Sequence, residues 1–233
     1  MKPLRVRDQS QLSQNFARLA IEYALAVQKA GTPLLPFQSE DVPHFSKLNP
    51  SVQQKIIQDL EFVVEVAREM TKEKQSLRDS PKLLWRSLIH LGFTPSSDIF
   101  GKIGDDDIVI VYSPEHKHIF QNLLFFEMVT LTLEELYCTE WFLKTKRSEA
   151  VQRALFEAAN RGFQGEIKNT FDPQVPEHIA QEVNTDGNIK LWVHVKWMSP
   201  VKKDDQIVGL IVVNSCRPAG EDEDIDENSK EKK

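Results

Sequence analysis

The sequence predicts an α+β fold, in which an N-terminal α-helical bundle precedes an antiparallel five-stranded sheet with flanking helices. Up to about residue 92, apolar residues recur at steps of three and four, which is typical of amphipathic helices. A β-branched run then begins at Asp107, and two late apolar runs, Ile189–Met198 and Ile207–Asn214, flank a polar turn. Strands and helices in this order form an antiparallel sheet with its helices on one face.

Three helices are predicted in the N-terminal region. The first spans Leu12–Ala30, the second runs from Pro50 to about Lys74, and the third covers Ser80–Leu91. Residues 32–49 contain three prolines between the first two helices, which predicts an extended linker. We therefore expect a small helical bundle before the sheet.

The second helix carries an apolar seam that suits pairing with another copy of the chain. Its apolar positions approximate the heptad spacing of a coiled coil. We expect a homodimer built on the residues of this seam, which are Val52, Ile56, Leu60, Val63 and Met70.

The C-terminal region is predicted to follow the order β-β-α-α-β-β-β. The first five elements are expected at Asp107–Tyr112, Lys117–Leu123, Leu133–Leu136, Arg147–Asn160 and Phe163–Asn169. Thr170–Thr185 is expected to form a loop or a short helix, and Asp186-Gly187 a turn before the final hairpin.

The change of period after the loop Thr94–Asp106 predicts a domain boundary. We expect an N-terminal helical region at 1–100, a second domain at 104–217 and a disordered acidic tail at 218–233.

Composition restricts the compartment and the partners. The sequence has only two cysteines, no apolar run long enough to span a bilayer and no apolar leader after its first residues, which favours the cytoplasm. The net charge of −6 argues against nucleic-acid binding. We expect no membrane partner and no nucleic acid, and allow a protein partner.

Catalytic and metal-binding motifs do not occur in the sequence. GxSxG, HExxH, GxGxxG and the Walker glycine loop are absent, so we expect no catalytic residues and no enzyme. His116 and His118 would need a third ligand such as His178 or His194 to hold a metal, and we predict no metal site. Asp105, Asp106 and Asp107 lack the spacing of a calcium loop.

Several segments of the C-terminal region resemble the PAS family. Leu131–Leu136 is similar to the S-x-E-E-L helix start of that family, and Ala150–Gly162 followed by Phe163–Glu166 is similar to its connecting helix and third strand. Thr185–Val193 resembles its D-G-x-x-x-W-V opening of a strand, and Ile207–Val213 its closing strand. The resemblance covers about half of the chain and leaves out residues 1–100.

The resemblance implies a sensor or dimerisation module whose concave sheet face holds a small molecule or meets a partner. Flavin-type members need a cysteine in N-C-R-F-L, but the segment around Cys138 lacks the Asn and the Arg, and Arg147–Gly162 has no axial histidine for haem. We therefore predict no cofactor and allow an unknown small-molecule ligand. The candidate pocket residues are Tyr112, Trp141, Phe142, Leu155, Phe163, Val193, Val195, Trp197 and Leu210.

Two functional hypotheses follow from these observations. The first is a non-catalytic cytoplasmic signalling protein, in which the PAS-like domain senses a small molecule or a partner and relays the event through the N-terminal helices. The alternative is a scaffold or adaptor that uses the same fold for protein–protein interaction alone.

Overall fold

The computed structural model describes residues 10–96, 99–183 and 189–220, together with residues 223 and 225. Within them, four helices precede one six-stranded antiparallel sheet, which has the order β2-β1-β6-β5-β4-β3, and further helices lie between its strands. The prediction of mixed helix and strand with an antiparallel sheet is confirmed, although the sheet has six strands instead of five.

The N-terminal helices begin and end close to the predicted residues. They are α1 (Gln11–Lys29), α2 (Pro43–Ser46), α3 (Pro50–Lys72) and α4 (Ser80–Leu91). The side chain of Asn49 caps α3 by accepting a hydrogen bond from the backbone N–H of Val52. Gly92 ends α4 in the left-handed region, where a residue without a Cβ is favoured. The linker, predicted to be extended, contains the short helix α2.

The remaining elements form the sheet and its cover. The strands are β1 (Ile108–Tyr112), β2 (His118–Gln121), β3 (Thr145–Lys146), β4 (His178–Glu182), β5 (Lys190–Lys203) and β6 (Gln206–Pro218). The helices are α5 (Leu123–Met128), α6 (Leu133–Cys138), α7 (Trp141–Lys144) and α8 (Glu149–Phe163), and a 3₁₀ turn lies at Phe100–Lys102.

The strand predicted at Phe163–Asn169 is wrong. Helix α8 continues to Phe163, and Gly165, with φ 76°, turns the chain into a loop. The strand that pairs with β5 is β4, which lies inside the segment predicted as a loop. Its residues, HIAQE, lack a run of β-branched or aromatic side chains, so this strand is specified by pairing with β5 and by burial and not by local propensity.

The two faces of the sheet have different neighbours because β5 is irregular between Val195 and Trp197. Val193 and Val195 lie on one face, whereas Trp197 packs into the core shared with the N-terminal helices. An extra residue in one strand shifts the alternation of the side chains that follow it. At this point Lys196 extends to Asp107, with its Nζ 2.9 and 3.0 Å from the two carboxylate oxygens.

Apolar packing is continuous across the boundary predicted at residues 100–104. One cluster of buried side chains includes Phe16, Leu60 and Leu84 from the helices and Ile211 and Val213 from β6. The N-terminal helices therefore cover one face of the sheet, and α8 covers the other.

Two further predictions fall wholly or largely on residues that the structure does not describe. The turn at Asp186-Gly187 lies outside the described residues, as does most of the tail at 218–233. Among the described helices, none is both long and apolar enough to cross a membrane.

Candidate functional site

A cavity lies between the sheet and the helices α5, α7 and α8. Its volume is about 120 Å³, counted as the space that the centre of a water molecule can reach. One water needs about 10–15 Å³ on this measure, so the cavity has room for a small organic molecule.

The walls of the cavity are mainly apolar because alternate residues of three neighbouring strands face it. Ile108 and Ile110 come from β1, and Leu210 and Val212 from β6. Helix α8 lies close to the sheet at Gly162, where an added Cβ would come within 2.8 Å of a methyl group of Leu210. The helix thus roofs the cavity without filling it.

Most of the predicted pocket residues meet in this cavity. Those that line it are Tyr112, Trp141, Leu155, Phe163, Val193, Val195 and Leu210. Phe142 lies instead in a shallow outer groove beside it. Trp197 is on the opposite face of the sheet, because the irregularity after Val195 interrupts the simple alternation that grouped it with Val193.

The sequence reasoning missed Arg147, whose guanidinium lines the cavity. Its Nε and Nη1 atoms are buried and have no hydrogen-bond partner within the described chain. Burial lowers the pKa of Arg147 to about 10, which leaves it charged at neutral pH. The guanidinium lies 5.5 Å from the ring centre of Trp141, a cation–π contact. Lys144, Lys146 and Arg147 resemble an exposed basic segment in the sequence, so no local pattern indicates this burial.

His178 contributes a second polar group to the cavity. From the sequence, this residue was predicted only as a third ligand that a metal at His116 and His118 would need. Its Nδ1 lies 2.8 Å from the carbonyl oxygen of Pro176, which only accepts, so Nδ1 carries the proton. Its Nε2 is therefore a lone-pair acceptor, and it is buried without a partner. Burial, followed by the positive charge of Arg147, lowers the pKa of His178 to about 4.

Burial lowers the pKa of the other basic side chains of the cavity. The Nζ of Lys144 donates to the carbonyl oxygen of Leu136 at 2.5 Å, and burial holds its pKa well below the ordinary value. Burial also lowers the pKa of His118 well below its ordinary value. Since none of the described lining residues is an aspartate or a glutamate, the charge of Arg147 has no counter-charge in the wall.

The cysteine that lines the cavity is held in its thiol form. Cys216 lines it, but burial raises the pKa of this thiol to about 12, so the reactive thiolate is not populated at neutral pH. Burial likewise raises the pKa of Cys138. Within the described parts of the chain, no three His, Cys, Asp or Glu side chains cluster as metal ligands would.

The residues of the predicted dimer seam lie inside the chain. Ile56, Leu60, Val63 and Met70 are buried in the core that α3 shares with its neighbours, and Val52 is partly buried beside it. Pairing of two copies through α3 stays a prediction, and in this arrangement it would require these side chains to leave their present contacts.

No model of a known protein family matches this chain, and a search among curated proteins finds no significant match.

Proposed function

We propose that this chain is a non-catalytic sensor of the PAS-like kind, whose cavity binds a small molecule. Binding would shift the strands of the sheet and so alter their packing against the N-terminal helices. The observation that carries the proposal is an apolar cavity in which two buried guanidinium nitrogens, Nε and Nη1 of Arg147, have no partner among the described residues. A buried polar group without a partner costs free energy, and a bound ligand that pairs with it removes that cost. The chain order of the elements, a hairpin of two strands, then helices with the short strand β3 among them, and finally the antiparallel strands β4, β5 and β6, also supports the proposal.

The relay follows from the two faces of β5 and β6. Val212 faces the cavity, while its neighbours Ile211 and Val213 pack into the core shared with the N-terminal helices. A ligand that moves the strands on one side therefore changes the packing on the other, because a close-packed core transmits small displacements.

A second connection joins the cavity to the linker before α3. Leu131 lines the cavity, and two residues later Leu133 donates a backbone hydrogen bond to Leu35 at 3.0 Å. Glu134 accepts hydrogen bonds from the backbone N–H groups of His44 and Phe45, at 2.8 and 3.0 Å. In the proposal, the hydrogen bonds of Leu133 and Glu134 carry the displacement caused by the ligand to α2 and α3. The protein is proposed to be cytoplasmic and to act as a homodimer.

The test fills the cavity and measures binding. Ala159 lines the cavity on α8, whereas Ala150 on the same helix is exposed, so Ala159→Leu and Ala150→Leu form a matched pair. We expect a mixed panel of charged and neutral small molecules to contain compounds that raise the melting temperature of the wild type and of Ala150→Leu. Ala159→Leu should lose this response. If no compound acts, and native mass spectrometry finds no co-purified molecule, the sensor proposal fails.

The scaffold function remains the second candidate because α4 carries an exposed apolar pair. Trp85 and Ile89 lie one helical turn apart and are 46% and 56% exposed. A scaffold would lose its partner in Trp85→Ala and would show no ligand response in the wild type or in the variant. The sensor would show a ligand response in the wild type and keep it in Trp85→Ala. Affinity purification and thermal shift, done on the same variant, separate the two functions.

A further inference from the structure

We infer that the ligand of this cavity is an apolar monocarboxylate whose carboxylate pairs with Arg147. The inference rests on the sensor proposal, because it names the class of molecule that the cavity would take. It begins from the Nε and Nη1 atoms of Arg147, which are buried and have no hydrogen-bond partner in the part of the chain that the structure describes.

A buried guanidinium needs an anion or several acceptors to compensate for its lost hydration. Tyr112 and Cys216 are the neighbours whose charge would raise the pKa of Arg147, and burial keeps both of them protonated at neutral pH. The described lining residues therefore supply no anion. A carboxylate on the ligand supplies one, and its planar oxygens match the donors of a guanidinium.

The charge of the ligand follows from the groups of the wall that are left to pair with it. Among the described wall residues, Arg147 is the cation whose donors lack a partner, because the Nζ of Lys144 donates to the carbonyl oxygen of Leu136 and burial lowers the pKa of His118 and His178. One negative charge balances the guanidinium. A phosphate, with nearly two charges at pH 7, would enter the cavity with a charge left uncompensated.

The orientation of the ligand follows from the position of Arg147. Arg147 and Thr145 line both the cavity and the shallow outer groove that contains Phe142 and Phe156. The Oγ1 atom of Thr145 is also buried without a partner, so it offers a further donor beside the guanidinium. The carboxylate thus lies between Thr145 and Arg147, toward the groove, and the apolar body extends inward to residues such as Leu210 and Val195.

The experiment titrates the full chain with straight-chain carboxylates from butanoate to decanoate and with phenylacetate, by calorimetry. The corresponding amides have nearly the same shape and no charge, so they serve as controls. We expect at least one carboxylate to bind about tenfold or more tightly than its amide, because a hydrogen bond to a charged group contributes more than a neutral one.

Two variants locate the charge. Arg147→Gln removes the cation and keeps a hydrogen-bonding side chain, and Arg153→Gln removes an exposed arginine from α8 as the matched control. We expect Arg147→Gln to weaken carboxylate binding about tenfold or more and to leave amide binding within about twofold. Arg153→Gln should change neither.

A stability measurement keeps the inference testable if Arg147→Gln alters the fold. Without ligand, Arg147→Gln should melt at the same temperature as the wild type or higher, since it removes an uncompensated buried charge. A lower melting temperature would mean that the guanidinium stabilises the fold itself, and it would overturn the inference.

The outcomes separate this inference from the sensor proposal. If amides bind as well as carboxylates and Ala159→Leu abolishes both, the cavity is a ligand site, but the carboxylate inference is wrong. If no carboxylate binds while other compounds of the mixed panel do, the carboxylate inference is wrong and the sensor proposal stands. If nothing binds in either experiment, both fail.

Discussion

Asn122 and Ser80 join the sheet to the helical layer through one buried hydrogen bond. The Nδ2 atom of Asn122 donates to the hydroxyl of Ser80 at 2.8 Å and to the backbone carbonyl of Asp107 at 2.8 Å. Its Oδ1 accepts from the backbone N–H of Val109 at 3.1 Å. Asn122 has no exposed surface, and Ser80 is the first residue of α4, so one amide connects β1 to the start of that helix.

We expect Asn122→Ala to destabilise the chain strongly. The change leaves the N–H of Val109 and the carbonyl of Asp107 without these partners in a site closed to water, at a cost of about 2–4 kcal/mol in the free energy of unfolding. Urea denaturation measures this loss. Asn160→Ala, at an exposed position on α8, should change it by less than about 0.5 kcal/mol. Equal stabilities of the two variants would contradict the role assigned to Asn122.

Removing residues 1–103 should prevent the remaining chain from folding to a native state. The fragment 104–220 would expose the sheet face that carries Trp197, Val201, Ile211 and Val213, which are buried against the N-terminal helices. We expect the fragment to bind a hydrophobic dye and to give a poorly dispersed amide NMR spectrum. A well-dispersed spectrum with cooperative unfolding would show that the predicted division at 100–104 separates two independent folding units.

The elements that were predicted well are those that local chemistry specifies. Asn49 before Pro50, and Gly92 after a run of apolar residues, determine helix ends through their own backbone and side-chain preferences. The turn between β5 and β6 also has a local signal, since Asp204 and Asp205 adopt positive φ angles that aspartate tolerates.

The errors arise where distant parts of the chain decide the outcome. Strand β4 depends on pairing with β5. The side of the sheet on which Trp197 lies depends on a backbone irregularity after Val195, and no residue type in the sequence indicates that irregularity. The burial of Arg147 depends on helix α8 lying over the sheet. For the candidate site, the alternation of side chains along the strands thus predicted much of the apolar wall. It did not predict the polar groups of the cavity, such as Arg147, which could bind a charged ligand.

Stability should fall as the pH is lowered from about 7 to 4, in part because of His178. The folded chain lowers the pKa of His178 from the ordinary 6.5 to about 4. The unfolded chain therefore binds more protons between these values, and the free energy of unfolding decreases as the pH falls through this window. The contribution of His178 is about 3 kcal/mol from the size of the shift.

The difference between the wild type and His178→Gln isolates this effect. The variant lacks the titrating group, so its advantage over the wild type should grow as the pH falls from 7 to 4. His118 has a pKa shifted in the same direction and keeps part of the slope in the variant. His44→Gln, at an exposed position, is the matched histidine control. If the free energies of unfolding of the wild type and of His178→Gln changed in parallel between pH 7 and 4, the lowered pKa assigned to His178 would be wrong.

Asp59→Asn should stabilise the chain at neutral pH. Burial raises the pKa of Asp59 to about 6, although Lys55, with its Nζ 3.8 Å from the carboxylate, partly offsets the rise. The folded chain therefore binds more protons than the unfolded chain between about pH 4 and 6, and the ionised form costs stability above pH 6. We expect a gain of about 1–3 kcal/mol at pH 8 and little gain at pH 4. Glu61→Gln, exposed on the same helix, is the matched control.

The single apolar cluster that runs from α1 to β6 has a consequence for how the chain folds during synthesis. Phe16 and Leu60 leave the ribosome long before Ile211 and Val213, the strand residues of the same core. The helical layer must therefore stay partly open until the last strand is made, and its contacts close loops of nearly the whole chain length. Such long-range closure slows folding, and it leaves an apolar helical surface that a chaperone would bind before β6 arrives.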